Sequence, residues 1–520
     1  MRLASRLVPF AVVLLAAPTA SAAATVFGAG LPSYQEYVVP ANGAPEPTIG
    51  IPWDTDHVFF HSNTHTFRGV FDAEQKATWT DVTPPYQVPI NLDPMLWADP
   101  DTGRIWAGGL HLPCSIMMMS DDDGATWLPT ADMCTNASSD DHQTIGSGPA
   151  AGTIPPLPTA PHTAYYCAQG GTIACSRSLD GGQVWAPFQN LPAPCQGFHG
   201  HIRVSRLDGF VALPVPDCGV SHGFEASSDG GLTWKAQLVP GADNWTRGFD
   251  SALQFTRGHG WMYYAMASEH GVHVALTKDE GKTWEKLGAA NTTWLDLGAL
   301  HDPPILSGVF TNVEAGDDER VAVSFLGLEA GPGADKAFLH SDQIYQCDKR
   351  QDELVWNYYV AVSYDAAKTW SVQKVTSDPV QVGGIWDGGG GNPCRNLLDF
   401  DDMELDSHGR IHLGWADGCV DECAKTQKSG TGGYRAQQAR VTRQVGGRGL
   451  FAKDDVKVEG DANNNGIPDA QENSTAPSSS EGKKTPLPAA VPLVAVLVAV
   501  VAARHSSMAF PKARKWARKP

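Results

Sequence analysis

From about residue 46 to residue 447, short apolar runs alternate with polar, glycine-bearing turns, and no stretch sustains a 3.6-residue apolar period. Five segments share one order: acidic or glycine residues first, then alternating apolar positions. They are Asp99–Trp106, Arg206–Leu213, Arg257–Tyr264, Asp317–Phe325 and Asp406–Leu413. Each predicts a tight turn feeding an antiparallel pair of strands. The pattern therefore predicts an all-β chain of many short strands.

A second pattern is an octapeptide, [S/T]-x-D-x-G-x-T-W. It occurs at Ser120–Trp127, Ser178–Trp185, Ser227–Trp234, Thr277–Trp284 and Ser363–Trp370, with a worn copy at Asp72–Trp79. Ala367 replaces the glycine in the fifth copy, and Val184 replaces the threonine in the second. The residue types suit a self-bonded turn. The Asp carboxylate and the Ser or Thr hydroxyl accept backbone N–H groups, Gly opens a conformation closed to other residues, and the indole packs between sheets.

These octapeptides resemble the Asp-box (BNR) repeats of sialidases and related proteins. The resemblance implies a β-propeller with each repeat at the hairpin between the third and fourth strands of a blade. Successive tryptophans lie 48, 58, 49, 50 and 86 residues apart, and the first four intervals suit one blade each. The last is long enough for an extra blade or an insertion. Six octapeptide blades plus a closing unit through Trp415 and Tyr434 make seven, with six as the rival count.

Composition agrees: 54 Gly, 37 Pro and 16 Trp, with only 18% charged residues. The net charge of -19 weighs against nucleic acid or anionic lipid as a partner. Both ends are basic, so the part between them is more acidic still.

Residues 1–22 read as a signal peptide: Arg2 and Arg6, the apolar stretch Val8–Ala17, then Ala20-Ser21-Ala22. Residues 473–485 read as a disordered stalk. Pro486–Ala503 is uncharged over 18 residues, about 27 Å as a helix, enough to span a bilayer core. The basic tail at 504–520 places the main body outside the cell. The expected location is extracellular, anchored to the membrane by this helix. Ten cysteines without a CxxC pair fit disulfides in an oxidising compartment, with Cys195–Cys218 and Cys419–Cys423 as candidate neighbour pairs.

After the propeller, residues 460–472 hold oxygen donors at calcium-loop spacing: Asp461, Asn463, Asn465, the Ile467 carbonyl, Asp469 and Glu472, with Gly466 at the sharp turn. The expected cofactor is Ca2+, at a junction between propeller and stalk.

Propeller sites form at the axis, where first strands begin. The candidates just ahead of those strands are Asp141, His142, His199, His201, Arg203, Asp250, Arg395 and Asp399. On a strand, His199 and His201 face the same way, and with His142 or a carboxylate they offer a divalent metal site. Arg395 and Asp399 pair with each other or read a substrate carboxylate.

More widely, residues 46–447 resemble secreted prokaryotic proteins labelled "exo-alpha-sialidase". The carrying segments begin at Glu46, Asp141, Tyr165, His199, Ala315, Asp378 and Cys394. The resemblance implies a surface propeller acting on, or binding, a glycan or surface glycoprotein. Sialidases use an arginine triad, here Arg203, Arg247 and Arg395, and an FRIP-like segment, whose nearest match is Thr66-Phe67-Arg68-Gly69. The alternatives are a non-catalytic binding propeller and a metal-dependent hydrolase or lyase using His199 and His201.

Overall fold

In the computed structural model, residues 30–455 are described, apart from 44, 86–91, 136–139, 153–156, 243–249, 348–349, 387–393 and 429–437. They form seven antiparallel sheets, each beginning with a strand beside a common axis. The innermost strands, blade by blade, are Thr48–Gly50, Leu92–Ala98, Asp141–Pro149, Arg203–Val204, Ala252–Phe255, Ile305–Ala315 and Asp402–Leu405. The protein is a seven-bladed β-propeller. All five turn segments identified above join a first strand to a second.

Ring closure uses the two ends of the propeller. In blade seven, Asp402–Leu405, Ile411–Asp417 and Gln438–Gly446 are completed by Ser33–Asn42, with Tyr37 opposite Val441. The propeller thus starts ahead of Glu46, the boundary expected from sequence. Pairing the first strand with the last removes the one seam at which the ring would open.

Each octapeptide lies between a third and a fourth strand, and the five full copies are bonded to themselves in the same way. In Ser227–Trp234, Ser227 Oγ donates to Asp229 Oδ1 (2.8 Å) and accepts from Gly231 N (2.9 Å). Asp229 also accepts from Leu232 N (3.1 Å), Thr233 N (2.9 Å) and Thr233 Oγ1 (2.6 Å). Val184 lacks the hydroxyl, so that copy lacks the last bond, and Ala367 is forced to φ 64°, where Gly sits elsewhere. The indoles then join neighbouring blades. Trp127 packs with Phe59, Leu96 and Met118, and its Nε1 donates to Val82 O at 2.8 Å.

The 86-residue interval is an insertion. Between Val321–Glu329 and Val355–Ser363 of blade six the chain makes a short helix, Lys336–Leu339, and two 3-10 turns. A disulfide, Cys347–Cys394, fastens it toward blade seven. All ten cysteines are paired, the others as Cys114–Cys134, Cys167–Cys175, Cys195–Cys218 and Cys419–Cys423. Near the axis the blades approach so closely that a Cβ on Gly200 would lie 2.0 Å from Ser251 O.

No helix among the described residues is long and apolar enough to cross a membrane. The signal peptide, the calcium loop at 461–472, the stalk, the apolar segment 486–503 and the basic tail lie outside the described residues.

Candidate active site at the propeller mouth

Around the axis the innermost strands all run in one direction, so their N-terminal ends share one mouth. At that end the backbone departs from regular strand in five blades. Glu46, Asp93, His142, Phe310 and Leu398 have φ of 50°, 47°, 50°, 55° and 63°. Three of these sit at bulges, where pairing slips between Leu92 and Pro94, Asp141 and Thr144, and Val309 and Asn312. Left-handed backbone at non-glycine residues is strained, and bulges re-aim side chains. Both features concentrate at functional sites.

The re-aimed side chains meet. His142 Nε2 donates to both oxygens of Asp250, at 2.7 and 2.8 Å, and His142 N donates to Asp93 Oδ2 at 3.0 Å. The side chains of His142 and Asp250 are only 6% and 9% exposed. Burial alone would lower the imidazole pKa, but Asp250 and, farther off, Asp399 and Asp93 outweigh it and raise it to about 9. The His199 ring packs 5.6 Å from that of His142. Burial, and then the His142 charge, depresses His199 to about 3. A charged and a neutral histidine therefore stand side by side. His199 Nδ1 bonds Gly200 O at 3.0 Å, and its Nε2 is buried without a partner.

Carboxyl groups surround this pair. Burial, reinforced by the charge of Asp141, lifts Asp93 to about 6. Burial lifts Glu46 well above the usual carboxylate range, with Asp93 and Asp399 adding to it and Arg395 opposing. Arg395 forms an ion pair with Asp399. Phe198 lies 5.2 Å from the His142 ring and is 45% exposed; Phe400 lies 5.8 Å from His142 and 5.3 Å from His201.

The sequence candidates thus gather as a group, with two differences. His199 and His201 are not on a strand, because the blade-four strand begins at Arg203. His201 turns to Asp402, with Nδ1 3.5 Å from its carboxylate, while His199 turns to His142. Among the described residues, the one group of three side chains with ligand atoms close enough to share a metal is Asp99, Asp101 and His162, none of them in the candidate set. Arg203 lies deeper, facing Glu404 at 3.4 Å, Glu314 at 3.8 Å and Asp402 at 4.0 Å. That guanidinium neutralises the axis and is not free to read a substrate. Arg247 lies outside the described residues.

Glu46, Asp93, Phe198 and Phe400 are mouth residues that the sequence reading missed. Applying the rule used for the other blades, a polar residue just ahead of the first strand, to blades one and two would have found Glu46 and Asp93.

No protein-family model and no curated protein matches the chain. Among solved structures, it is similar to a protein of unknown function from Dyadobacter fermentans, at 14% identity over 79% of this chain and 99% of that one, with a TM-score of 0.39. A GH74 xyloglucanase from Xanthomonas campestris aligns at 13% identity over 74% of this chain and 53% of that one, with a TM-score of 0.39. A six-bladed fungal lectin from Aleuria aurantia, described with a fucose recognition mode, aligns at 11% identity over 68% of this chain and 100% of that one, again with a TM-score of 0.39.

Proposed function

We propose that this chain is an extracellular glycan-processing propeller that cleaves a glycosidic bond at its mouth. The supporting observation is the set of mouth carboxyls held in unlike environments. Asp93 sits at a pKa of about 6, and burial lifts Glu46 well above the usual carboxylate range, beside Asp141 and Asp399. Glycoside hydrolysis needs one carboxyl that keeps its proton for the leaving oxygen and another that acts as base or nucleophile. Asp93 takes the acid role, its pKa raised by burial and by the charge of solvent-exposed Asp141 beside it. The half-exposed Phe198 offers a platform for the apolar face of a sugar. Charged His142 stabilises negative charge on the partner carboxylates.

A sialidase form of this reading takes Arg395 and Arg247 for the substrate carboxylate, because Arg203 is already committed to three acids. The complete disulfide set supports an extracellular setting, and the leader and apolar C-terminal segment support membrane anchoring.

The test is hydrolysis of a panel of fluorogenic glycosides, neuraminides included. Activity should fall at least about 100-fold in Asp93→Asn, and the wild-type rate should decline as pH rises past about 6. One observation favours a second reading, a glycan-binding propeller without catalysis: Glu46 and His142 are 1% and 5% exposed, so a ligand meets Asp141 and Phe198 first. Glycan binding that survives Asp93→Asn, with no hydrolysis on any substrate, would establish that reading in place of the first.

A further inference from the structure

The opposite end of the axis is built from the turns between first and second strands. There a cavity of about 50 Å³ opens between Trp53, Arg206, Gln254, Arg257 and His162, room for roughly three or four waters. Trp53 is fixed by its Nε1, which donates to Leu405 O at 2.8 Å. Two guanidiniums stack on that one indole, Arg206 at 4.1 Å and Arg257 at 4.5 Å, and Arg257 also lies 4.5 Å from the Phe451 ring.

The two arginines are not equally satisfied. Arg206 forms an ion pair with Asp101. The guanidinium of Arg257 has no hydrogen-bonded or ion-paired partner among the described residues; it lies against two aromatic faces, and burial lowers its pKa with the charge of Asp317 opposing. Burial, followed by the charge of Arg257, lowers the Arg206 pKa to about 10, with Asp99 and Glu314, which also line the cavity, opposing but not cancelling it. Nearby Asp99 is already spent: it accepts from Ser147 Oγ at 2.5 Å, from the amides of Asp101 and Thr102 at 3.0 Å each, and from His162 at 2.6 Å. That is why Asp99, Asp101 and His162, although close, are poor ligands for a cation: one carboxylate is saturated and the other faces a guanidinium.

We propose that this cavity is a binding site for an oxyanion group, a sulfate, phosphate or carboxylate carried by a small ligand, with Arg257 as its principal contact and Arg206 as the second. A planar fork matches such a group with two parallel N–H bonds, and the indole and Phe451 hold the fork ready. The site lies at the far end of the axis from the mouth and does not depend on the glycosidase reading.

The experiment titrates the full chain with sodium sulfate, phosphate or acetate against sodium chloride at constant ionic strength, read by calorimetry and by melting temperature. Saturable binding is expected, with a rise of a few degrees in melting temperature, and Arg257→Gln should weaken it at least about tenfold. Preference for sulfate and phosphate over acetate would assign a tetrahedral group, and the reverse a carboxylate. Asp93→Asn at the mouth should leave the affinity unchanged. Three results would overturn the proposal: no saturable heat with any of the three anions, a linear rise in melting temperature equal in wild type and Arg257→Gln, or loss of binding in Asp93→Asn. The wild-type calorimetry decides the matter even if Arg257→Gln does not fold.

Discussion

The His142–Asp250 pair gives the sharpest test of the electrostatics at the mouth. The imidazole pKa stands at about 9 against an ordinary value of 6.5. At 1.36 kcal/mol per pKa unit, the preference of the fold for the charged ring is worth about 3 kcal/mol. Little of it is lost to solvent screening, since both side chains are nearly buried. The sign follows from the direction of the shift. A base whose pKa is higher in the folded than in the unfolded chain stabilises fully below pH 6.5, and the contribution disappears as pH rises through 9.

Asp250→Asn keeps an oxygen that accepts the His142 hydrogen bond and removes the charge. Asp399 and Asp93 still act on the ring, so the expected loss is about 2 kcal/mol at pH 6, close to zero at pH 10. Urea denaturation at pH 6, 8 and 10 measures it, with disulfides intact. In parallel, NMR titration of labelled histidine should place His142 near 9 in the wild type and well below that in the variant. An equal loss at pH 6 and pH 10 would refute the reasoning, because it would mean that His142 is neutral throughout and the contact is an ordinary hydrogen bond.

Three further outcomes are expected. Asp229→Ala removes four hydrogen bonds from its turn, so unfolding free energy should drop by about 2–4 kcal/mol; Asp180→Ala, whose turn lacks the threonine hydroxyl bond, should cost about 1 kcal/mol less in the same denaturation assay. Ala367→Gly, at φ 64°, should stabilise by about 0.5–1 kcal/mol, measured by urea denaturation, since glycine adopts that conformation without strain. Glu225 is fully buried in blade four with both carboxylate oxygens unpartnered, and burial raises its pKa from 4.5 to about 8. A carboxyl raised by folding costs stability as pH climbs from 4.5 through 8, so Glu225→Gln should leave the melting temperature unchanged at pH 5 and raise it at pH 9.

The architecture was legible because its determinants are local. A turn such as Ser227–Trp234 satisfies its own backbone within eight residues, so selection for that turn writes the same residues into every blade that uses it. The acids of the inner turns are local in the same sense: Asp406 accepts the amides of His408 and Arg410, two and four residues on. Ring closure left no such mark. Ser33–Asn42 joins a strand about 400 residues away in sequence, and its alternating pattern reads like any other edge strand. The insertion in blade six was undecidable from spacing alone, because 86 residues hold either a blade or an excursion.

The mouth is a harder case, and the reason is geometric. In a four-stranded blade, the turns between strands one and two and between strands three and four lie at the same end. Both repeating signals therefore report on the end away from the mouth. The mouth is assembled from the connections between blades, each contributing a different residue: Glu46, Asp93, His142, Asp250 and Asp399. Its members are bound to one another across about 50 to 350 residues, so no window of sequence contains two interacting partners except Arg395 with Asp399. Even the residue ahead of each first strand is an incomplete guide. At the same level of the axis it gives an acid lifted above the usual carboxylate range, an imidazole that stays charged and an imidazole that stays neutral, and burial and neighbours decide which. An octapeptide can thus be conserved in form around the ring while the chemistry at the other end varies freely, which is why the repeats identify the scaffold and the mouth residues have to be tested one by one.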